Sequence, residues 1–192
     1  MSQESKKPRI FITGHTRGIG KAIFDRFKAN NYYCYGVSKS EGFDIEADCD
    51  IIVRQMSNFD YIVLNAYSKN SQLEMLKKII EQYQEENKKI AIITSTSGTP
   101  AGIDNSFKEQ EYNWYCDNKK RLIQYIEKAQ QDLYDKPIHL YDICPDTVKT
   151  DMSDGLWEEY PKLSPQDVAE AVEMCFTKKY NINKIVLQKY EM

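Results

Sequence analysis

The sequence predicts an α/β protein, one domain built on a parallel sheet with helices covering it. Three observations carry that expectation. Six short apolar segments recur along 192 residues, helical stretches separate most of them, and a glycine-rich turn joins the first strand to the first helix. The candidate strands are residues 9–13, 32–37, 61–65, 89–94, 138–143 and 184–188. Residues 20–30 read as the first helix, with Ile23, Phe24 and Phe27 available for sheet packing. Leu73, Leu76, Ile80 and Tyr83 share one helical face; Leu122, Ile126, Ala129 and Leu133 share another within residues 115–133. Residues 167–176 form a later helix, and Pro165 sits where helix initiation tolerates proline. Residues 1–8 read as a tail and 9–192 as the domain. Glycine and proline at residues 98–102, at Pro145 and at Gly155 mark loops rather than linkers. The polar interval 98–111 follows a central strand and reads either as an active-site lid or as an inert surface excursion.

Charged residues make up 29% of the chain and the formal net charge is -3, which argues against general affinity for nucleic acid or anionic membrane. No apolar stretch is long enough to span a bilayer, and residues 1–7 lack the hydrophobic segment of a secretory signal. A cytoplasmic protein is expected. The five cysteines (Cys34, Cys49, Cys116, Cys144, Cys175) are widely spaced, odd in number and without a CxxC pair, so they read as reduced thiols. With His15 and His139 the only imidazoles, no metal site is expected.

The chemistry begins at Thr13-Gly14-His15-Thr16-Arg17-Gly18-Ile19-Gly20, behind the apolar run Ile10-Phe11-Ile12. A strand turning through three glycines into a helix places backbone N–H groups around an anion. Gly14 makes the tight turn, Gly18 lets the main chain approach a pyrophosphate, and Gly20 lets helix pack on strand. After the second strand comes Ser38-Lys39-Ser40, with no carboxylate immediately present to favour the ribose hydroxyls of NAD. Lys39 and Arg17 are placed instead to neutralise a ribose 2′-phosphate, with Ser38 adding a hydrogen bond, which favours NADP while leaving NAD possible. The plainer alternative makes both cations ordinary solvated side chains. Asp44 is a candidate acceptor for the adenine amino group. Asn65-Ala66, at the end of the 61–65 strand, is a candidate for holding loop and cofactor in register; either feature equally suits a turn cap.

Together these residues resemble a short-chain dehydrogenase/reductase. The likeness spans nearly the whole chain: the Thr13–Gly20 pattern, Asp44, Asn65-Ala66, Thr94-Ser95, Tyr115-x-x-x-Lys119, and Pro145-Asp146-Thr147-Val148-Lys149-Thr150. It implies a Rossmann-like doubly wound parallel sheet and an NAD(P)-dependent oxidoreductase. Tyr115 and Lys119 lie four apart on an inferred helix and can face one crevice. A tyrosine phenol near pKa ~10 is a poor base at neutrality, and a nearby ammonium stabilises its phenolate. The resemblance makes Tyr115 the proton donor, Lys119 its partner and a ligand of the nicotinamide ribose. Ser95 then holds the substrate oxygen, with Ser97 a competitor because strand register is not readable from sequence. Cofactor contacts implied on the same basis are Gly14, Thr16, Arg17, Gly18, Ile19, Gly20, Ser38, Lys39, Asp44, Asn65, Ala66, Tyr115, Lys119, Pro145, Thr147, Val148 and Thr150; Val148 alternatively packs beneath its loop.

Three departures stand out. Asp146 replaces the glycine of the usual Pro-Gly pattern. The segment between Asn65 and Ser95 is short, and Asn70 does not clearly match the family's relay asparagine. Residues 151–164 leave little sequence for a deep lid, which favours small substrates. The leading expectation is NADPH-linked reduction of a small carbonyl compound, or the reverse alcohol oxidation. The alternatives are a catalytically weak nucleotide-binding regulatory or interaction protein and, behind it, an NAD-dependent epimerase. The resemblance also implies a homo-oligomer through helix faces such as those of Leu76 and Leu122, although those faces equally serve a monomeric core.

Overall fold

The computed structural model describes residues 7–100, 110–155 and 158–190. Six strands form one wholly parallel sheet: β1 (Arg9–Thr13), β2 (Tyr33–Val37), β3 (Tyr61–Leu64), β4 (Lys89–Ile93), β5 (His139–Pro145) and β6 (Lys184–Leu187). Their spatial order is β2-β1-β3-β4-β5-β6. Five helices cover them: α1 (Gly18–Ala29), α2 (Cys49–Gln55), α3 (Ser71–Tyr83), α4 (Gln110–Asp132) and α5 (Pro165–Thr177). The expected doubly wound α/β sheet is present. Each expected strand is there within two residues of its bounds. β5 runs on through Cys144 and Pro145, because β6 pairs with them at Val186 and Leu187.

The strands are apolar on both faces because both faces are covered. Phe11, Ile62, Leu64, Ile90 and Ile92 point into a core under α2, α3 and α4. Their neighbours Ile10, Ile12, Val63, Ala91 and Ile93 point into a second core under α1 and α5. Each such isoleucine is fully or almost fully buried, contributing roughly 2–3 kcal/mol relative to exposure. The second layer is closed at its rim by Glu173 of α5, which accepts from Arg26 at 2.6 Å and from Asn30, both at the end of α1. α5 starts with a reciprocal cap: Asp167 N–H donates to Ser164 Oγ at 3.2 Å and Ser164 N–H to Asp167 Oδ2 at 2.7 Å, with Pro165 in the first turn.

Helix α2 has no counterpart among the expected elements. Its Ile51-Ile52-Val53 run is β-branched and has poor intrinsic helix preference. Tertiary burial overrides that preference, since Ile52 and Val53 are buried against β1 and α3 residues. Within the helix Val53 O accepts from Tyr83 Oη at 2.8 Å, and in the turn that follows it the carbonyls of Met56, Ser57 and Phe59 accept from the buried Lys88 amine at 3.0–3.3 Å. α4 begins at Gln110, five residues before the expected start. The lid expected at residues 98–111 falls mostly on 101–109, outside the described residues, as do residues 1–6 of the expected tail and 156–157 of the late segment. Pro8 is already tied to the sheet, its carbonyl accepting from Tyr33 N–H at 2.9 Å.

Leu76 and Leu122, expected as candidates for an oligomer face, are 0% and 2% exposed. They fill the core of the single chain, which is the alternative the sequence left open.

Gly20 carries a strict packing constraint. A Cβ there would lie 2.0 Å from Gly14 O and 2.6 Å from Asn65 Nδ2. Gly20→Ala is therefore expected to destabilise the fold by about 3 kcal/mol in urea unfolding, since main chain must move to admit it. A loss near zero would show that α1 does not seat against β1 as described.

Candidate functional site

β1 leads outward to β2, and the chain then crosses back to β3 on the other side of β1, so the connections reverse direction between β1 and β3. In such sheets the crevice outside the carboxyl ends of the strands, at that reversal, is where ligands bind. Of the expected site residues, Gly18, Ile19 and Gly20 open α1, Pro145 closes β5, Tyr115 and Lys119 lie within α4, and the others sit on the segments that follow β1, β2, β3, β4 and β5.

The glycine turn is held by main chain. Gly14, at φ 72°, donates its N–H to Val37 O at 2.7 Å, and Gly18 enters α1 at φ 53°. Across the reversal, Thr13 Oγ1 accepts from Asn65 N–H at 3.0 Å and Ala66 N–H at 3.1 Å. Asn65 Nδ2 donates to Gly14 O at 3.1 Å. Asn65 thus holds the turn in register by its side-chain amide. Arg17 caps α1 with no side-chain hydrogen bond, and the first turn contains no acidic residue. The first-turn amides of α1 are left for an anion. Thr150 stands beside Gly18, its Cγ2 3.2 Å from where a Cβ would be, and Ile19 packs into the core below.

At the end of β2 the chain turns through Lys39–Glu41. Ser40 Oγ lies 3.2 Å from Thr16 Oγ1 and 3.0 Å from Ser38 Oγ, so three hydroxyls meet in one place. The two cations expected to converge here have different carboxylate partners. Lys39 pairs with Asp44 at 2.7 Å, and the exposed Arg17 with Asp151 at 3.6 Å. Lys39 holds the Asp44 carboxyl below its usual range. A carboxylate does stand four residues past the end of β2: Glu41 accepts from Ser38 Oγ at 3.0 Å and faces His15 Nε2 at 3.5 Å. The His15 ring fills the space left by Gly36, where a Cβ would meet it at 2.1 Å.

The third group of residues lies at the ends of β4 and α4. Ser95 accepts from Ser97 N–H at 3.2 Å and hydrogen-bonds the Tyr115 phenol. Ser97 instead lies 3.3 Å from Tyr112 Oη, so it is Ser95 that faces Tyr115. α4 can come this close only because the Thr96–Gly98 turn ends in glycine: a Cβ on Gly98 would stand 2.7 Å from the main chain at Lys119 and Lys120. Tyr115 packs edge-on to Tyr67 at 5.0 Å, and the Lys119 amine lies 5.2 Å from the Tyr67 ring and 5.7 Å from the Tyr115 ring. Lys119 is only 4% exposed and donates to Gln72 Oε1 and Ile93 O, each at 2.9 Å.

Burial dominates the acid–base character of this group. It pushes the Tyr115 phenol up to about 12, against a smaller lowering by the Ser95 hydrogen bond, so the phenol keeps its proton. It pulls the Lys119 amine down to about 7, with the Asp142 carboxylate beneath opposing. Burial also raises Asp142, which accepts from Thr94 Oγ1 at 2.5 Å and lies 3.2 Å from Lys184.

The loop after β5 completes the rim. Asp146 turns its carboxylate back onto the protein. Its Oδ1 accepts from Thr147 N–H at 2.9 Å and lies 3.2 Å from Thr96 Oγ1, tying this loop to the Ser95 turn. Pro145 is buried and Thr147 half-exposed. Val148 is turned inward at 7% exposure and bridges to Leu163, so its side chain packs rather than facing the crevice. Two residues here escaped the sequence reading, Gln72 and Gly98. Gln72 had a legible signal: it lies four before Leu76 on the buried face of α3, where a polar side chain needs partners.

A groove of about 560 Å³ lies to one side, lined by Ile45, Lys69, Trp114, Asn118 and Arg121 among others. Neither the glycine turn nor Ser95 nor Tyr115 borders it. Among the described residues no cluster has the make-up of a metal site, and no helix is long and apolar enough to cross a membrane.

No family model and no curated protein matches the chain. Solved structures do. A serine dehydrogenase complexed with NADP+ is 21% identical with TM-score 0.72, over 95% of this chain and 96% of that one. A short chain dehydrogenase from Burkholderia cenocepacia J2315 in complex with NADP is 13% identical with TM-score 0.79, over 96% and 89%. A 3-ketoacyl-(acyl-carrier-protein) reductase from Brucella melitensis complexed with NADH is 18% identical with TM-score 0.76, over 94% and 95%. At these identities the fold is what is shared.

The buried amine has a stability signature. Lys119 titrates near 7 in the folded chain and near 10.5 when unfolded. Between those values the unfolded chain holds a proton the folded chain has shed, so the stability of the fold rises with pH; below about 7 the full cost of burying the charge is present. Urea unfolding at pH 7 and about pH 9.5 is expected to show wild type gaining stability relative to Lys119→Met. Parallel behaviour of the two would contradict a buried, readily deprotonated amine.

Proposed function

We propose that the chain is a nicotinamide-dinucleotide-dependent oxidoreductase that reduces a small carbonyl compound, or runs the reverse alcohol oxidation. The observation that carries this reading is the meeting of Ser95, Tyr115 and Lys119 at the strand-end crevice, a short way along the same edge from an uncapped glycine turn. The crevice fits a dinucleotide on its own terms. Gly14 and Gly20 let the turn close tightly onto Asn65 and Ala66, the first-turn amides of α1 suit a pyrophosphate, and Thr16, Ser38 and Ser40 gather hydroxyls where a ribose would lie.

In this reading Gly14, Thr16, Gly18, Gly20, Asn65, Ala66 and Thr150 hold the dinucleotide, with Pro145 and Thr147 bounding the nicotinamide end. When bound, the dinucleotide supplies the hydride. Ser95 hydrogen-bonds the substrate oxygen and stabilises charge developing there. Tyr115 gives that oxygen its proton, a role suited to a phenol that burial keeps protonated. An ammonium on Lys119 makes the phenolate left behind less costly. Two of its N–H groups are engaged by Gln72 and Ile93, and the third is free to meet a cofactor hydroxyl.

NADPH is the preferred form in this proposal. Lys39 is solvent-exposed, and its pair with Asp44 is of the weak surface kind that exchanges partners readily for a phosphate. Glu41 in the same turn works against a phosphate, so the preference rests on Lys39 and the three hydroxyls outweighing it.

Incubation with 4-deuterated NADPH and a panel of small aldehydes and ketones is expected to place deuterium on the carbinol carbon of a product. Tyr115→Phe should lower turnover by about a hundredfold or more while dinucleotide affinity stays within about twofold. Tight dinucleotide binding without transfer across the panel would turn the reading toward a nucleotide-binding regulatory protein. For the cofactor, Lys39→Ala is expected to weaken NADPH about tenfold and leave NADH nearly unchanged. Equal effects on both would refute the NADPH preference.

A further inference from the structure

Gln72 sits in the first turn of α3, 3% exposed, with each of its polar atoms engaged. Its Nε2 donates to Leu64 O at 2.7 Å and Ile93 O at 3.0 Å, joining the carboxyl ends of β3 and β4. Its Oε1 accepts from the Lys119 amine at 2.9 Å, and that amine donates also to Ile93 O at 2.9 Å. Only one orientation of the amide serves all these partners. Reversed, it would set an NH2 against an ammonium and an oxygen against two carbonyls.

We propose that Gln72 is a positioning residue: its carboxamide oxygen holds the Lys119 amine in its place beside Tyr115, and its two N–H bonds hold the carboxamide itself. This rests on the reading of Tyr115 and Lys119 as the reacting pair. The buried amine has little access to water, so an acceptor aimed at it decides where it stands. The neutrality of that acceptor matters as much as its position. The ionisable groups facing Lys119 are Tyr115 on its own helix, Tyr67 before α3, and Asp142 and Cys144 on β5. An amide adds no further negative charge and leaves the amine free to exchange its proton; a carboxylate in the same place would lock the proton on.

Gln72→Glu and Gln72→Met separate positioning from mere tying of strands. Both remove the two bonds donated to Leu64 and Ile93, but only the glutamate keeps an acceptor for Lys119. Titration of the Lys119 amine by NMR of ε-13C-lysine-labelled protein, assigned by its loss in Lys119→Met, reads the difference without any dinucleotide or substrate. The midpoint is expected to rise by at least one pH unit in Gln72→Glu, a tenfold gain in proton affinity, and to stay at or below the wild-type value in Gln72→Met. If both variants shift alike, or neither moves, Gln72 only ties the strands and the proposal is overturned. Should Gln72→Met fail to fold, an unmoved midpoint in Gln72→Glu overturns it alone. Divergent titrations in a protein that binds no dinucleotide would support the hold on Lys119 while removing the redox reading from which its purpose was drawn.

Discussion

A lysine amine with almost no exposed surface is tolerated only where the fold supplies acceptors to replace water, and the architecture around Lys119 is organised to do so. The end of β4 offers Ile93 O, the start of α3 offers Gln72, and the rings of Tyr67 and Tyr115 present their faces. Gly98 lets the turn after β4 lie directly on the backbone of α4, at Lys119 and Lys120. That same contact brings Ser95 to Tyr115. One close approach therefore sets both the charge and the proton donor of the proposed reaction.

The other half of the crevice depends on a different close approach. Gly14, Gly20 and Asn65 meet so tightly that the first turn of α1, the end of β1 and the start of the loop after β3 behave as one piece. Dinucleotide and reacting side chains would thus be held by two rigid elements joined through the strands between them. Asp146 adds a third tie: by bonding Thr96 and its own loop, it couples the rim after β5 to the Ser95 turn. A glycine in that position could not make that tie.

Most of this was legible in the sequence, for physical reasons that differ by element. The strands were readable because a doubly covered sheet demands continuous apolar runs, and the glycine turn because its backbone demands are strict. Helix α2 was not, since Ile51-Ile52-Val53 form a helix against their own preference under burial by Phe11, Ile62 and Tyr83. The choice between Ser95 and Ser97 needed the register of the turn after β4. Side-chain partners were the least accessible: nothing in Arg17 or Lys39 foretold that they would face Asp151 and Asp44, or that Glu41 would fold back onto Ser38. Gln72 belongs between these cases, since its place on the buried face of α3 could be read but its partner on α4 could not.

In the proposed reaction the uncapped glycine turn and the Ser95–Tyr115–Lys119 group serve a single bound molecule. A crystal structure of the chain with NADPH tests it most directly. The pyrophosphate is expected on the first-turn amides of α1 and the nicotinamide ring against Tyr115, within reach of a substrate oxygen held by Ser95. A dinucleotide seated elsewhere, or one whose nicotinamide points away from the phenol, would contradict it.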